Sequence, residues 1–195
     1  MKFILGSSSV CRRELLCEIG LPADEFISPD VDESPIKKEK PKDLAMRLSK
    51  LKNDAIIEKL KDGGEEVIIL TADTVVGVGN KPLDKALTDD DVRKYMKILS
   101  GRGNRVYTGF CCTRLSADGT VAQQVHNYGE TRIKFKTFSK NDIDEMVASK
   151  SGIGVAGGYT IDGFASSLMI NAIGSMSNIQ GLPLYQVRNQ AKTED

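Results

Sequence analysis

The sequence predicts an α/β fold in which helices flank a mixed, twisted sheet. The chain begins with an apolar strand, a turn of small residues and a helix, and a continuous apolar run, Val67–Leu70, is typical of a strand buried on both faces. Two long β segments, 107–115 and 121–138, lie between two helical patterns. Because the chain has 195 residues and 40% of them are hydrophobic, we expect one domain spanning residues 1–195.

The turn after the first strand, Ser7–Ser9, is suited to holding phosphate. Ser9 is a good N-cap for the following helix, so the free backbone N–H groups and the positive end of the helix dipole point at the turn. Arg12 and Arg13 add positive charge there, and a guanidinium fork fits phosphate oxygens. A capped helix with two solvated arginines explains the same residues, and both interpretations stay open at this point.

A short extended segment, a loop and a long helix follow. Gly20–Pro22 ends the first helix, residues 26–33 look extended and end in acids, and the charged stretch 34–42 is a loop. The spacing of apolar residues then predicts a helix from about residue 42 to residue 61. Its predicted apolar face consists of Leu44, Leu48, Leu51 and Ala55.

Asp73 is the most suggestive single residue. The strand that begins at Val67 delivers it to the strand's end, which is where open α/β sheets place their ligands. A buried carboxylate needs a partner, and a divalent cation, a lysine or a polarised water can each supply one. Asp30, Asp32 and Glu33 offer further carboxylates for a hard metal such as magnesium, although on their own they look like a solvated face.

The second half of the chain contains helices, a hairpin and turns. A turn is predicted at residues 77–82, followed by a helix that Thr88 caps and Gly101 ends. Residues 117–119 join the two long β segments, Ser139 caps another helix, and a last short helix opens at residues 182–184.

The motifs exclude several kinds of site. Gly152–Gly157 is a literal G-x-G-x-x-G, but a helix precedes it and no acid follows at the distance that holds a ribose, so it is no dinucleotide site. These glycines form either a pocket wall or a surface loop. There is no P-loop motif, and His126, the only histidine, gives histidine-based nucleophilic catalysis no support. Metal-assisted attack of water on a phosphate anhydride is the chemistry that fits best.

Composition bounds the partners and the compartment. Lys plus Arg equals Asp plus Glu at 27 each, so no global field draws the protein to nucleic acid or to a membrane surface. No run is apolar and long enough to span a bilayer, and no signal-peptide core develops, so we expect a cytoplasmic protein. The cysteines lack disulfide and zinc-site spacing and are expected to be reduced thiols, mostly in the core. They are Cys11, Cys17, Cys111 and Cys112.

Short motifs spread over nearly the whole chain resemble those of one family. Ser7–Leu16 looks like the signature S-x-S-x-x-R-x-x-L-L, and Thr71–Val76 looks like the core G-A-D-T-V-V. The other matching blocks are Val31–Glu33, Arg47–Lys52, Leu99–Arg102, Val106–Gly109 and Gly181–Leu184. The family they resemble is that of the Maf proteins, nucleoside triphosphate pyrophosphatases that are also linked to inhibition of septum formation.

The resemblance implies a fold, a cofactor and roles for particular residues. The fold is α/β with two lobes around a nucleotide cleft, similar to that of inosine triphosphate pyrophosphatases, in a homodimer. Asp73 is implied to accept a proton from the attacking water, and Glu33 and Asp73 to hold a divalent cation, magnesium or manganese. The implied catalytic set is Asp73, Glu33, Lys52 and Lys85, and the implied substrate-binding set is Ser7, Ser9, Arg12 and Arg13.

The lysine of the family's K-P block matches either of two positions. Lys81 is followed by Pro82, whereas counting without gaps from Asp73 and from Leu99 selects Lys85. We choose Lys85. Without the resemblance, both Lys85 and Lys52 look like ordinary surface lysines.

Three positions that track base choice in the family match Cys11, Thr74 and Asp162. Thr74 resembles the branch that acts on dTTP and UTP, Asp162 resembles the branch that acts on 7-methyl-GTP, and Cys11 fits neither. An ionised Asp162 accepts hydrogen bonds but cannot donate them, so it would recognise a pyrimidine edge differently from the glutamine of the dTTP and UTP branch.

The leading hypothesis is an enzyme that hydrolyses a non-canonical or pyrimidine nucleoside triphosphate, with dTTP and UTP favoured, to the monophosphate and pyrophosphate. Such an enzyme keeps modified nucleotides out of nucleic acid. Two alternatives stay open: a pyrophosphatase for 7-methyl-GTP, and a nucleotide-binding regulator of cell division whose turnover is incidental.

Overall fold

The computed structural model describes residues 1–191 as a seven-stranded sheet flanked by helices. The strands are Lys2–Gly6 (β1), Glu25–Phe26 (β2), Val67–Val78 (β3), Lys81–Leu83 (β4), Gly103–Leu115 (β5), Val121–Phe135 (β6) and Met169–Ile173 (β7). The helices are Val10–Glu18 (α1), Pro41–Leu60 (α2), Asp89–Leu99 (α3), Lys140–Ala148 (α4), Phe164–Ser167 (α5), Met176–Gln180 (α6) and Leu184–Ala191 (α7).

The sheet is mixed. Its strand order is β2-β1-β3-β5-β6-β7, with β4 paired to β3. β1 runs parallel to β2 and β3, and the pairs from β3 to β7 are antiparallel. The predicted α/β class with a mixed sheet flanked by helices is therefore confirmed.

Strand β3 is longer than predicted, which corrects the position of Asp73. The strand does not end there but continues to Val78, because it pairs with β5 without interruption from Val67 to Gly77. Its parallel neighbour β1, however, stops at Gly6, opposite Thr71. Asp73 therefore lies just beyond the carboxyl end of β1, at an edge of the parallel part of the sheet where ligand sites form.

Two large apolar clusters occupy the two halves of the molecule and share the long strands. In one, Val76 and Val106 pack with buried side chains of α3, α4 and β6. In the other, Leu70 and Phe110, which lie on the same two strands, pack with residues of β1, α1 and α7. The strands β3 and β5 therefore contribute to both apolar clusters and connect the two halves of the molecule.

Helix α2 begins and ends as predicted to within a residue, and Leu44 and Leu48 of its predicted apolar face are buried, but the second half of the helix turns a different face to the sheet. Leu51 is exposed and Ala55 is only half-buried, whereas Ser49, Lys52 and Asn53 are buried. Polar side chains fit there because they find partners: the Asn53 side-chain amide nitrogen donates to two backbone carbonyl oxygens of the sheet. Hydrophobic spacing alone does not reveal such a face.

The four cysteines are free. Cys111 and Cys112 are buried, and burial raises the pKa of their thiols to about 11 and about 12, respectively. Cys11 is half-buried and Cys17 is exposed, so only two of the four lie in the core. Within residues 1–191, none of the helices has both the length and the apolar character needed to cross a membrane.

Candidate active site

A cleft of about 480 Å³ opens between the two halves of the molecule. Its walls come from the turn after β1, from the middle of β3, from the glycine-rich segment before α5, and from the end of α6. A volume of this size is typical of sites for small molecules. Of the two interpretations left open for the glycine-rich segment, the pocket wall is confirmed, since residues 154–156 line the cleft.

The turn Ser7–Ser9 presents hydroxyl groups and a helix start to the cleft. Ser9 is the N-cap of α1, and its Oγ accepts a hydrogen bond from the backbone N–H of Arg12 at 3.4 Å. The buried Ser7 accepts one at its own Oγ from the backbone N–H of Ser9 at 3.2 Å. The turn therefore has the hydroxyl groups and the capped helix start that the sequence predicts.

Arg12 joins three parts of the cleft through its guanidinium. Its Nε donates to the carbonyl oxygen of Gly181 at 2.8 Å, and its terminal nitrogens donate to Ser7 Oγ at 3.0 Å and to Thr74 Oγ1 at 3.1 Å. Burial lowers the pKa of Arg12, and the negative charge of Asp73 opposes that shift. The guanidinium is thus fixed in place between the turn after β1, strand β3 and the end of α6.

We expect the substitution Arg12→Lys to raise KM for the substrate about 10- to 100-fold, because a point charge replaces an oriented fork of donors. Steady-state kinetics measures KM and kcat separately. Arg13→Lys is the matched control: Arg13 does not line the cleft but stacks on the ring of Phe26, with 4.1 Å from its guanidinium carbon to the ring centroid. Equal effects of the two substitutions on KM would contradict the expectation that Arg12, and not Arg13, contacts the substrate.

Two carboxylates meet at one lysine in the cleft. Lys52 Nζ lies 2.5 Å from Asp73 Oδ1 and 2.7 Å from Glu33 Oε1. Lys85 Nζ contacts the other oxygen of Glu33 at 3.1 Å. Lys52 and Asp73 are each only 8% exposed, so the interpretation of Lys52 as a surface lysine is wrong. An ammonium between two carboxylates offsets the repulsion that would otherwise keep them apart.

The surrounding lysines set the charge of Glu33. Burial works to raise its pKa, but the hydrogen bonds and charges of Lys52 and Lys85 outweigh it, so the net pKa lies below the ordinary glutamate value. A group whose pKa is lowered by folding stabilises the folded state above its unfolded-state pKa. This contribution is lost as the pH falls through the folded-state pKa of Glu33.

Lys85 is mostly exposed at the rim, yet it lines the cleft, whereas Lys81 lies on β4 outside it. A backbone bridge between Lys85 and Ala156 ties the lysine to the glycine-rich segment. The geometry therefore favours Lys85 over Lys81, as chosen from the sequence.

The donor set of Glu33 and Asp73 fits a magnesium or manganese ion that arrives with a nucleotide. Among residues 1–191, no group of three or more histidine, cysteine or acidic side chains is arranged to hold a metal ion. Magnesium is usually bound by one or two carboxylates together with substrate phosphates and waters. Glu33 and Asp73 are two carboxylates of this kind, and the ammonium of Lys52 lies between them.

The three base-tracking positions, Cys11, Thr74 and Asp162, all line the cleft. Thr74 Oγ1 contacts Arg12 and lies 3.0 Å from Thr108 Oγ1. Asp162 Oδ1 accepts a hydrogen bond from Gln180 Nε2 at 2.9 Å. The structure thus brings together all the residues nominated for catalysis, substrate binding and base choice except Arg13, which faces Phe26. Asp30 and Asp32, considered from the sequence as further metal ligands, do not line the cleft.

Several residues that line the cleft were not nominated as site residues from the sequence. Tyr159 is buried in the cleft wall and donates from its hydroxyl to Asn104 Oδ1 at 2.9 Å. Ser28 and Gln180 also line the cleft. Ser28 follows a two-residue strand and Gln180 ends a five-residue helix, so neither periodicity nor a motif could have indicated them. Tyr159 belongs to the segment Gly158–Gly163, whose Y-x-I-x-G pattern resembles that of the family.

The fold and the cleft together define an α/β protein whose cleft is equipped to hold a polyphosphate beside a pair of carboxylates. The chain belongs to the Maf family: the family model described as "Maf-like protein" matches residues 2–194. The family prediction is therefore confirmed.

Curated relatives cover almost the full chain. A protein of Chelativorans sp. (strain BNC1) named "dTTP/UTP pyrophosphatase" is 39% identical over 95% of this chain and 87% of its own length. A protein of Mesorhizobium japonicum with the same name is 41% identical over 95% of this chain and 88% of its own length. A "Nucleoside triphosphate pyrophosphatase" of Neorickettsia sennetsu is 43% identical, over 95% and 84%.

Proposed function

We propose that the protein hydrolyses nucleoside triphosphates of the dTTP and UTP type to the nucleoside monophosphate and pyrophosphate. The single observation that carries the proposal is the contact of Lys52 Nζ with both Asp73 and Glu33 inside a cleft that begins at an anion-binding turn. We infer from this contact that Asp73 acts as a base, that the two carboxylates can hold a cation, and that Lys52 supplies positive charge to a bound polyphosphate.

The relatives support the choice of substrate. Several that are about 40% identical over most of this chain carry the name dTTP/UTP pyrophosphatase. Thr74, which resembles the dTTP and UTP branch of the family, lines the cleft. We therefore favour pyrimidine nucleotides over 7-methyl-GTP.

The reaction is an in-line displacement at the α-phosphorus. Ser7, Ser9 and Arg12 hold and orient phosphate oxygens at the start of α1. Asp73 takes a proton from a water molecule, the water oxygen bonds to the α-phosphorus, and the bond from that phosphorus to the oxygen bridging to the β-phosphate breaks. Pyrophosphate leaves with the bonding electrons, and the positive charges of Lys52 and Lys85 stabilise it.

Glu33 and Asp73 would hold a magnesium or manganese ion together with oxygens of the bound triphosphate. Such an ion neutralises phosphate charge when it is bound. Lys52 Nζ contacts both carboxylates, so it would turn towards the phosphates when a cation takes its place. On the resemblance to the family, we further propose that the protein acts in the cytoplasm as a homodimer that removes non-canonical nucleotides from the pool.

We expect purified protein to release pyrophosphate from UTP and dTTP in the presence of magnesium or manganese, and EDTA to abolish the release. Pyrophosphate release is measured by anion-exchange chromatography of the products from UTP, dTTP, CTP, 7-methyl-GTP and inosine triphosphate. Release of orthophosphate instead of pyrophosphate would place cleavage at the wrong phosphoanhydride bond and contradict the proposal. Turnover of 7-methyl-GTP alone would move the protein to the other branch.

A further inference from the structure

Two side chains form a hydrogen-bonded pair in the cleft wall. Gln180, the last residue of α6, is half-buried, and its Nε2 donates to Oδ1 of the exposed Asp162 at 2.9 Å. Both residues line the cleft. Because a carboxylate only accepts hydrogen bonds, the amide must turn its nitrogen towards Asp162. One amide N–H of Gln180 and one carboxylate oxygen of Asp162 then remain to bind something else.

The pair is joined to the phosphate-binding end of the cleft. Gly181, the residue after Gln180, accepts the hydrogen bond from Arg12 Nε through its carbonyl oxygen. Asp162 and Cys11 both line the cleft, and burial, followed by the charge of Asp162, raises the pKa of the Cys11 thiol. A nucleotide whose phosphates contact Arg12 can therefore present its base to this pair.

We propose that Asp162 and Gln180 together recognise a base edge that consists of a carbonyl group next to a ring N–H. The inference rests on the proposed function, which supplies a nucleotide. Gln180 donates its free amide N–H to the carbonyl oxygen, and the Asp162 carboxylate accepts the ring N–H. Gln180 thus supplies the donor that Asp162 lacks.

This pattern separates bases by their chemistry. Uracil and thymine present the carbonyl O4 beside N3–H, and guanine and hypoxanthine present O6 beside N1–H. Cytosine presents an amino group beside an unprotonated ring nitrogen. Its amino group would face the amide N–H of Gln180, also a donor, and its ring nitrogen would face the carboxylate of Asp162, also an acceptor. A site with buried or oriented polar groups rejects a mismatched partner strongly because those groups are left unpaired.

The test exchanges the donor for an acceptor. In Gln180→Glu the side chain keeps its size and, when it is ionised, cannot donate, so we expect the ratio of kcat/KM for UTP over CTP, measured at alkaline pH where the two neighbouring carboxyl groups do not share a proton, to fall about 10-fold or more. In the double variant Asp162→Asn with Gln180→Glu, the donor and acceptor positions are exchanged, and we expect CTP to become the better of the two substrates. Gln190→Glu, on the exposed part of α7, is the matched control and should leave the ratio unchanged.

Binding of UMP and CMP to the same variants, measured by calorimetry, separates this inference from the proposed function. If the wild type hydrolyses no triphosphate but binds UMP over CMP, and Gln180→Glu removes that preference, the function fails and the inference stands. If UTP turnover persists with an unchanged UTP to CTP ratio in Gln180→Glu and in the double variant, the function stands and the inference is overturned. Parallel measurements of kcat/KM with dTTP, inosine triphosphate and 7-methyl-GTP show which base with this edge is preferred.

Discussion

Asp73→Asn is expected to lower kcat for pyrophosphate release by about 10²- to 10⁴-fold, the range that a positioned general base contributes. Asparagine keeps the shape of the side chain and can still accept the hydrogen bond of Lys52, but it cannot take a proton from water. Substrate binding is expected to survive, because the phosphate contacts that we propose come from Arg12 and the turn after β1. Single-turnover kinetics measures the chemical step, and calorimetry with UTP measures binding.

Two controls make the result specific to the base. Asp144→Asn removes a surface carboxylate that pairs with Arg93 away from the cleft, and it should leave kcat unchanged. A titration with magnesium and manganese separates the two roles proposed for Asp73: high metal concentration restores activity if only metal affinity is lost, and does not if the base is lost. Near wild-type turnover of Asp73→Asn would remove Asp73 from the catalytic role.

The sequence predicts this residue from general principles, and for a physical reason. Asp73 is a lone acid that closely follows the apolar run Val67–Leu70, and a carboxylate there is costly to bury without a partner, so it indicates a site even without relatives. Its exact place depends on tertiary structure, however. The carboxylate lies beyond the end of β1 and not at the end of its own strand, because β5 pairs along the whole length of β3.

The partners of Asp73 are harder to predict without the family resemblance. Lys52 looks like a solvent-facing lysine, because hydrophobic spacing places the apolar face of α2 elsewhere. Its burial follows from the contacts of α2 with β3 and β5, where polar side chains such as Asn53 find carbonyl partners. Gln180 carries no signal at all, since its role depends on a loop that is distant in sequence.

The long strand β5 illustrates how the fold positions the site. Gly109 pairs with Asp73 across β3 and β5. A Cβ atom added at Gly109 would lie 2.4 Å from the carbonyl oxygen of Ala45 and 2.8 Å from the backbone nitrogen of Met46, both in α2. The missing side chain therefore lets the backbone of α2 approach the sheet on the face that Gly109 shares with Asp73. This close approach helps Lys52, two turns further along the helix, to reach the Asp73 carboxylate.

We expect Gly109→Ala to lower the free energy of unfolding by about 1–3 kcal/mol, the usual cost of overpacking, because the backbone of α2 cannot give way as a flexible side chain would. The same shift moves Lys52 away from Asp73, and a misplacement of about 1 Å can cost about 10²-fold in rate. Urea unfolding measures the first effect, and kcat/KM for UTP measures the second.

Gly103→Ala is the matched control for this prediction because it lies on the same strand and has room. The nearest atom to its added Cβ is the carbonyl oxygen of Ile133 at 3.9 Å, an ordinary contact. Alanine also loses less conformational entropy on folding than glycine, so this variant should be as stable as the wild type or slightly more stable, with full activity. If Gly109→Ala matched Gly103→Ala in both stability and activity, close approach of α2 to β5 would not be what positions Lys52.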